Sequence, residues 1–242
     1  MRSAVLWLVD ANAVSDADAA ALTACLSDAE MSRYQRFVRK VRQREFLLGR
    51  VLLRFVASRT AGIDFDAIDI VESPGLAPLL QFPAALPLLA EREFSFSLSH
   101  SRGRVACATS LDTPLGLDIE ALDASRNVDA VGREAFSDAE SRWLSSRPQA
   151  DKVAAFYGLW SDKEALYKLT SHAGDQAVPP ELVIGNVRQE SGPQWHAQAC
   201  ALPDFAVSLC SRQALTSIEQ IHLQGTTPAA WSRQLDGASV QR

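Results

Sequence analysis

The chain has 242 residues, 47% of them hydrophobic and 22% charged, and a formal net charge of −5. That is apolar material for one large or two small packed cores, and the acidic balance argues against a general nucleic-acid binder. No run approaches membrane-spanning length, and Cys25, Cys107, Cys200 and Cys210 are scattered without CxxC or Cys/His spacing, so neither a disulfide frame nor a zinc site is expected.

The apolar run 4–9 is too short for a secretion signal and is followed at once by Asp10, which predicts a first strand, while the scattered cysteines suit a reducing cytoplasm. Residues 16–26 and 31–59 read as helices, the second with Phe46, Leu47, Val51, Leu52, Phe55 and Val56 on one apolar face. The same region concentrates Arg33, Arg36, Arg39, Lys40, Arg42, Arg44, Arg50 and Arg54. It is expected to meet an anion, with Arg33 and Arg42 the leading contacts; a solvated helix face is the alternative. Gly62 ends the helix, 67–71 forms a strand and the Pro-rich stretch 73–87 a loop. Strands at 94–98, 104–110 and 115–120, separated by Ser-Arg-Gly and Asp-Thr-Pro turns, predict an antiparallel meander.

Helices follow at 128–136, 137–146 and 150–170, the second opened by a Ser137-Asp-Ala-Glu140 capping box. Short alternating segments at 182–187, 195–201, 206–211 and 218–223 predict strands, and residues from Gly225 onward carry no strong signal. The helix ends Ala61-Gly62 and Ala173-Gly174 lie 112 residues apart (174 − 62), a faint hint of duplication.

Two acidic signatures carry the chemistry. In Gly116-Leu-Asp118-Ile-Glu120 the period of two puts both carboxylates on one strand face, where they can share a cation. In Trp160-Ser-Asp-Lys163-Glu164-Ala-Leu-Tyr-Lys168, four-residue spacing stacks Trp160, Glu164 and Lys168 along one helical stripe. Taken singly, Asp118 and Glu120 read as solvent-facing strand residues, and Glu164 with Lys168 as a surface ion pair worth about 0.3–0.5 kcal/mol. Taken together, Asp118, Glu120 and Glu164 offer the oxygen donors that magnesium prefers, and Lys168 a point charge for a phosphate.

Four motifs stand in order: Phe94-Ser-Phe-Ser-Leu-Ser99-His100-Ser, the Asp118 and Glu120 strand, Phe136-Ser, and the Trp160 to Lys168 helix. With Arg42-Gln-Arg-Glu-Phe46-Leu-Leu-Gly49-Arg50 before them, this set resembles the Sfp-type 4′-phosphopantetheinyl transferases over about two-thirds of the chain. The resemblance implies an α+β fold of two similar halves, residues 1–112 and 113–242, forming an intramolecular pseudo-dimer with coenzyme A in the cleft between them. A monomer is expected, with no nucleic-acid or membrane partner. The implied reaction moves the 4′-phosphopantetheine arm of coenzyme A to a serine of an apo acyl or peptidyl carrier protein and releases adenosine 3′,5′-bisphosphate. Magnesium would sit on Asp118, Glu120 and Glu164. Glu164 would take the serine proton, directly or through a metal-bound water, and Lys168 would meet a phosphate. Arg33, Arg42, Ser99 and His100 would hold the nucleotide end, His100 by its 3′-phosphate.

The chain departs from the family pattern twice. Gly75-Leu-Ala-Pro78 lacks the lysine of the usual Gly-Lys-Pro, and Lys168-Leu-Thr-Ser-His-Ala-Gly174 fits the usual Lys-x-x-Gly-x-Gly only in part. A magnesium nuclease is the rival enzyme, but its Glu-x-Lys strand spacing is absent. A module that binds coenzyme A or carrier without turnover is the other rival, and the presence of all three carboxylates argues against it.

Overall fold

The computed structural model describes residues 2–71, 78–82, 94–172 and 180–239. They form two compact units, one of Ser3–Asp112 with Ile218–Arg242, the other of Met1–Arg2 with Thr113–Ser217.

The first unit contains β1 (Ser3–Asp10), α1 (Asp16–Leu22), α2 (Asp28–Arg36), α3 (Lys40–Ala61), β2 (Asp69–Val71), β3 (Leu79–Gln81), β4 (Ser95–Ser101) and β5 (Arg104–Ser110). Its main sheet runs β12-β1-β5-β4, where β12 (Ser217–His222) comes from near the chain's end. The α3 residues Leu48, Val51, Leu52 and Phe55 cluster with Val5, Trp7, Val9, Val105 and Cys107 of the sheet. Fully burying such a side chain stabilises by about 1.5–3 kcal/mol, which is why this helix tolerates so many internal charges.

Three expectations change here. The single helix over 31–59 is two helices: Ser27 and Glu30 form a capping box that starts α2 early, and Phe37 and Arg39 are extended. Phe37 turns its ring onto Phe46, 5.4 Å between centroids, so aromatic packing wins over a continuous helical pattern. The C-terminal stretch without signal holds α7 (Pro228–Ser239), opened by Pro228 in the first turn and a Thr227 hydroxyl that accepts from the Ala230 N–H. Its Trp231 is fully buried, 5.1 Å from Phe55. The division at 112 placed all later residues in the second half, whereas β12 joins the first unit's sheet and α7 packs on α3.

The second unit contains β6 (Leu115–Ala121), α4 (Val128–Ala135), α5 (Asp138–Ser145), α6 (Lys152–His172), β7 (Val183–Ile184), β8 (Val187–Arg188), β9 (Ser191–Gly192), β10 (Trp195–Ala199) and β11 (Phe205–Ser211). Its sheet runs β6-β11-β10-β9. The expected meander therefore stops at β5: β6 pairs with β11, because Leu115, Leu117 and Ile119 are wholly buried on one face while α6 covers the other. Both units are thus a four-stranded sheet with a long helix on one face, and α3 and α6 begin 112 residues apart (152 − 40). The fold class is α+β with two like-built halves in one chain. Gly174, part of the sequence hint of duplication, lies outside the described residues.

The halves also share a clamp. Glu30 and Glu140 are each the third residue of a capping-box helix, each fully buried, and each tied to a cation on the long helix. Glu30 holds Arg54 (2.6 Å) and Arg50 (3.4 Å); Glu140 holds Lys163 (2.8 Å).

Candidate active site

Gly116 fixes the centre of the second unit. A Cβ there would run into the carbonyl oxygen of Ala165 and lie 2.6 Å from the Leu169 nitrogen, so only glycine lets β6 and α6 approach this closely. Two residues on, Asp118 comes under α6. The Lys168 ammonium donates to Asp118 Oδ1 (2.8 Å) and to the Leu117 carbonyl (2.9 Å). Glu120 follows on the same strand face, with Ala206 as its cross-strand partner.

Glu164 sits one turn before Lys168, half-buried. It makes no ion pair within the described residues, so the i,i+4 pairing with Lys168 does not form; the ammonium goes to Asp118 instead. Burial pushes the Glu164 carboxyl above its ordinary range, and the Asp118 charge adds to this, while Lys168 only partly opposes them. A carboxylate raised in this way holds a proton more tightly than an ordinary one.

The helix that carries Glu164 is pinned on both sides. Glu140 accepts from Lys163 Nζ (2.8 and 2.9 Å), from the Leu182 N–H (2.8 Å) and from the Ser137 N–H (3.0 Å). Burial works against its ionisation, but these bonds and the ammonium outweigh it and hold the carboxyl below its ordinary range. On the other side, buried Asp162 accepts from the Ser208 hydroxyl (2.7 Å) and pairs with Arg188. Trp160 packs on Phe156 (5.8 Å) and Phe136 (6.3 Å). Sequence reading passed over Asp162, Arg188 and Ser208; an acidic residue on the sheet-facing side of an apolar helix was the available signal.

In the first unit, Arg42 and His100 come together. Arg42 Nη1 lies 2.8 Å from His100 Nδ1, and Glu45, nearly sealed from solvent, is 3.1 Å from the guanidinium and 3.5 Å from the ring. A guanidinium only donates, so Nδ1 accepts and the ring N–H is on Nε2. Glu45 also accepts from the Gly103 N–H (2.8 Å) in the β4–β5 turn, where Arg102 and Gly103 both have positive φ (46° and 84°). Ser99, beside His100 on β4, is buried. Arg33 lies over the Phe46 ring (5.4 Å). The basic run is not one surface: Arg50 and Arg54 are buried against Glu30, and Arg44 pairs with Asp16 (2.8 Å). Arg33, Arg36, Arg39, Lys40 and Arg42 are the exposed remainder. Gly75, Leu76, Ala77, Ala173 and Gly174, the departures noted above, lie outside the described residues.

The side chains of interest on β6 and α6 are carboxylates, and Lys168 pairs with one of them, Asp118. Carboxylate oxygens are the donors that suit a hard divalent cation. Among the described residues no three His, Cys, Asp or Glu side chains are already gathered as a metal cluster. No helix among them is long and apolar enough to cross a membrane.

A raised carboxyl thus stands on a braced helix, one turn from an ammonium that holds a strand carboxylate. Residues 114–210 match the 4′-phosphopantetheinyl transferase superfamily model, and residues 13–112 match the N-terminal model of 4′-phosphopantetheinyl transferase. The chain belongs to the 4′-phosphopantetheinyl transferase superfamily and is an enzyme of that transferase class. It is 29% identical over 181 residues to 4′-phosphopantetheinyl transferase HetI of Nostoc sp., covering 72% of this chain and 73% of that one. To 4′-phosphopantetheinyl transferase psf-1 of Bacillus pumilus it is 34% identical over 138 residues, 56% of this chain and 54% of the other. A 115-residue stretch is 32% identical to fatty acid synthase subunit alpha of Schizosaccharomyces pombe, covering 46% of this chain and 6% of that protein.

Proposed function

We propose that this enzyme transfers the 4′-phosphopantetheine arm of coenzyme A to a serine hydroxyl of an apo acyl or peptidyl carrier protein, with release of adenosine 3′,5′-bisphosphate. The observation that carries the reading is Glu164, a half-buried carboxylate raised by burial and by Asp118, inside the segment matched to the transferase superfamily. Glu164 takes the serine proton as the hydroxyl oxygen attacks phosphorus. Lys168 supplies charge to a phosphate oxygen, and Asp118, Glu120 and Glu164 would hold magnesium. When bound, that ion supplies neutralisation of the charge growing on the leaving phosphate.

We assign the nucleotide end of coenzyme A to Arg33, Arg42, Ser99 and His100. The Nε2 proton of His100 is its donor, since Nδ1 is engaged by Arg42. The exposed cations from Arg36 to Arg42 favour an acidic carrier surface, so carrier affinity should fall as salt rises; equal affinity at low and high salt would remove this assignment. We place the protein in the cytoplasm as a monomer, consistent with four cysteines that are all free thiols.

The test is the intact mass of apo carrier proteins incubated with enzyme, coenzyme A and magnesium. A gain of one phosphopantetheine arm, absent without magnesium and with Glu164→Ala, is expected. No gain on any carrier, while coenzyme A still raises the melting temperature, would leave a binding module instead.

A further inference from the structure

Lys168 stands on one oxygen of a carboxylate that the cation would also use, while the other, Oδ2, is buried without a hydrogen-bond partner among the described residues. Its ammonium gives one donor to Asp118 Oδ1 (2.8 Å) and one to the Leu117 carbonyl (2.9 Å). There it neutralises one carboxylate of the row, while Glu164, one turn earlier on the same helix, has no ion-pair partner within the described residues. A divalent cation drawn to Asp118 and Glu164 brings two positive charges to the carboxylate on which the ammonium rests, and like charges at that range repel. The lysine is the partner able to leave. Its charge ends a flexible four-carbon stem and its side chain is 27% exposed, against 6% for Asp118, which is locked on a strand between β11 and α6.

We propose that Lys168 is the resident counter-ion of this carboxylate row, displaced from Asp118 when the divalent cation binds and thereby delivered to a phosphate of coenzyme A. The inference rests on the cation reading given above and adds an order to it. In the cation-free protein Lys168 belongs to Asp118; in the loaded protein it belongs to the substrate. Binding of the cation and binding of coenzyme A are then coupled through one side chain, and each raises affinity for the other by the same factor. An ammonium that merely oriented Asp118 would do the reverse: it would stay in place and its loss would weaken the cation.

The experiment is calorimetric titration of Mn2+ into the full chain, with and without coenzyme A, for wild type and Lys168→Met, which keeps most of the apolar stem. Lys168→Met should bind Mn2+ without coenzyme A about fivefold or more tightly than wild type, and the mutual enhancement between Mn2+ and coenzyme A should shrink by a similar factor. Equal or weaker Mn2+ binding by Lys168→Met, with wild type binding normally, overturns the displacement and leaves the cation site standing. Wild type that binds no Mn2+, alone or with coenzyme A, overturns the cation reading and the displacement together.

A second measurement does not depend on that variant folding. The chain's lysines are Lys40, Lys152, Lys163 and Lys168, so ammonium resonances of the 15N-lysine protein are few, and Lys168→Arg assigns the one in question. A protected Lys168 signal should move and lose its protection from exchange on addition of Mg2+, while that of Lys163 stays. A Lys168 signal unmoved at saturating Mg2+ overturns the proposal.

Discussion

Gly116 and Ala165 touch backbone to backbone: the α-carbon of one has no room for a side chain because the carbonyl oxygen of the other is in the way. This contact sets the height of α6 over β6 and therefore the reach from Lys168 to Asp118. Gly116→Ala must lift the helix, and overpacking of this kind costs about 1–3 kcal/mol. The expected result is a lower melting temperature together with a loss of transfer larger than the unfolded fraction explains. Full activity at a temperature where the variant is folded would show that the contact is incidental.

Glu164 predicts a stability change whose sign follows from its raised carboxyl. The folded protein binds that proton more tightly than the unfolded chain does. The contribution to stability is therefore complete below the ordinary carboxylate range and is lost as pH rises through the elevated value. In metal-free buffer, Glu164→Gln should melt higher than wild type at neutral pH, and the gap should close toward about pH 4, where both carry a neutral side chain. The same variant should have lost transfer. Melting curves across pH check the first claim; a Gln variant less stable than wild type at neutral pH would contradict it.

Glu140 carries the opposite sign. Its carboxyl is held below the ordinary range by Lys163, Leu182 and Ser137, so its stabilisation is present above that range and lost as pH falls through the lowered value. Removing one partner of a buried pair costs about 3–5 kcal/mol, and Glu140→Ala should show a loss of that order in urea at neutral pH. Glu30→Ala should cost as much in the other unit, where Arg50 and Arg54 would be stranded. A loss confined to catalysis, with unchanged urea midpoint, would make Glu140 a substrate contact rather than a brace.

Arg42 and His100 should separate binding from chemistry. On the assignment proposed above, each would act through a charge-assisted or ring N–H donor at the nucleotide end, so Arg42→Ala or His100→Ala should raise KM for coenzyme A by about 10-fold to 100-fold while kcat changes little. Steady-state kinetics at saturating carrier reads this directly. A fall in kcat with constant KM would move these residues into the reacting centre.

What the sequence made legible follows from range. Asp118 and Glu120 were readable because strand alternation alone assigns their face, and Glu164 with Lys168 because helical spacing puts them on one stripe. The partner of Lys168 was not readable: i,i+4 spacing favoured Glu164, whereas the fold brings up Asp118, 50 residues away, through the gap at Gly116. The break at Phe37 to Arg39 and the pairing of β6 with β11 failed for the same reason, since Phe46 and β11 enter only in three dimensions. Arg50 and Arg54 looked like part of a basic surface because a charge pattern does not say that Glu30 is buried beneath it. In α7, the Thr227-Pro228 start was a local signal that went unused.

The two long helices rest on unlike strand faces. Under α3 the sheet presents Trp7, Val9, Val105 and Cys107; under α6 the strand presents Gly116, Asp118 and Glu120. In an assembly of identical subunits every substitution is made in each copy, so residues that serve the reaction in one place are imposed on all. A chain with both halves inherits no such rule. Substitutions around Trp7 can accumulate without altering Asp118, and drift at Asp118 leaves the apolar core of the other half intact. Two unlike faces within one chain can therefore change independently of each other.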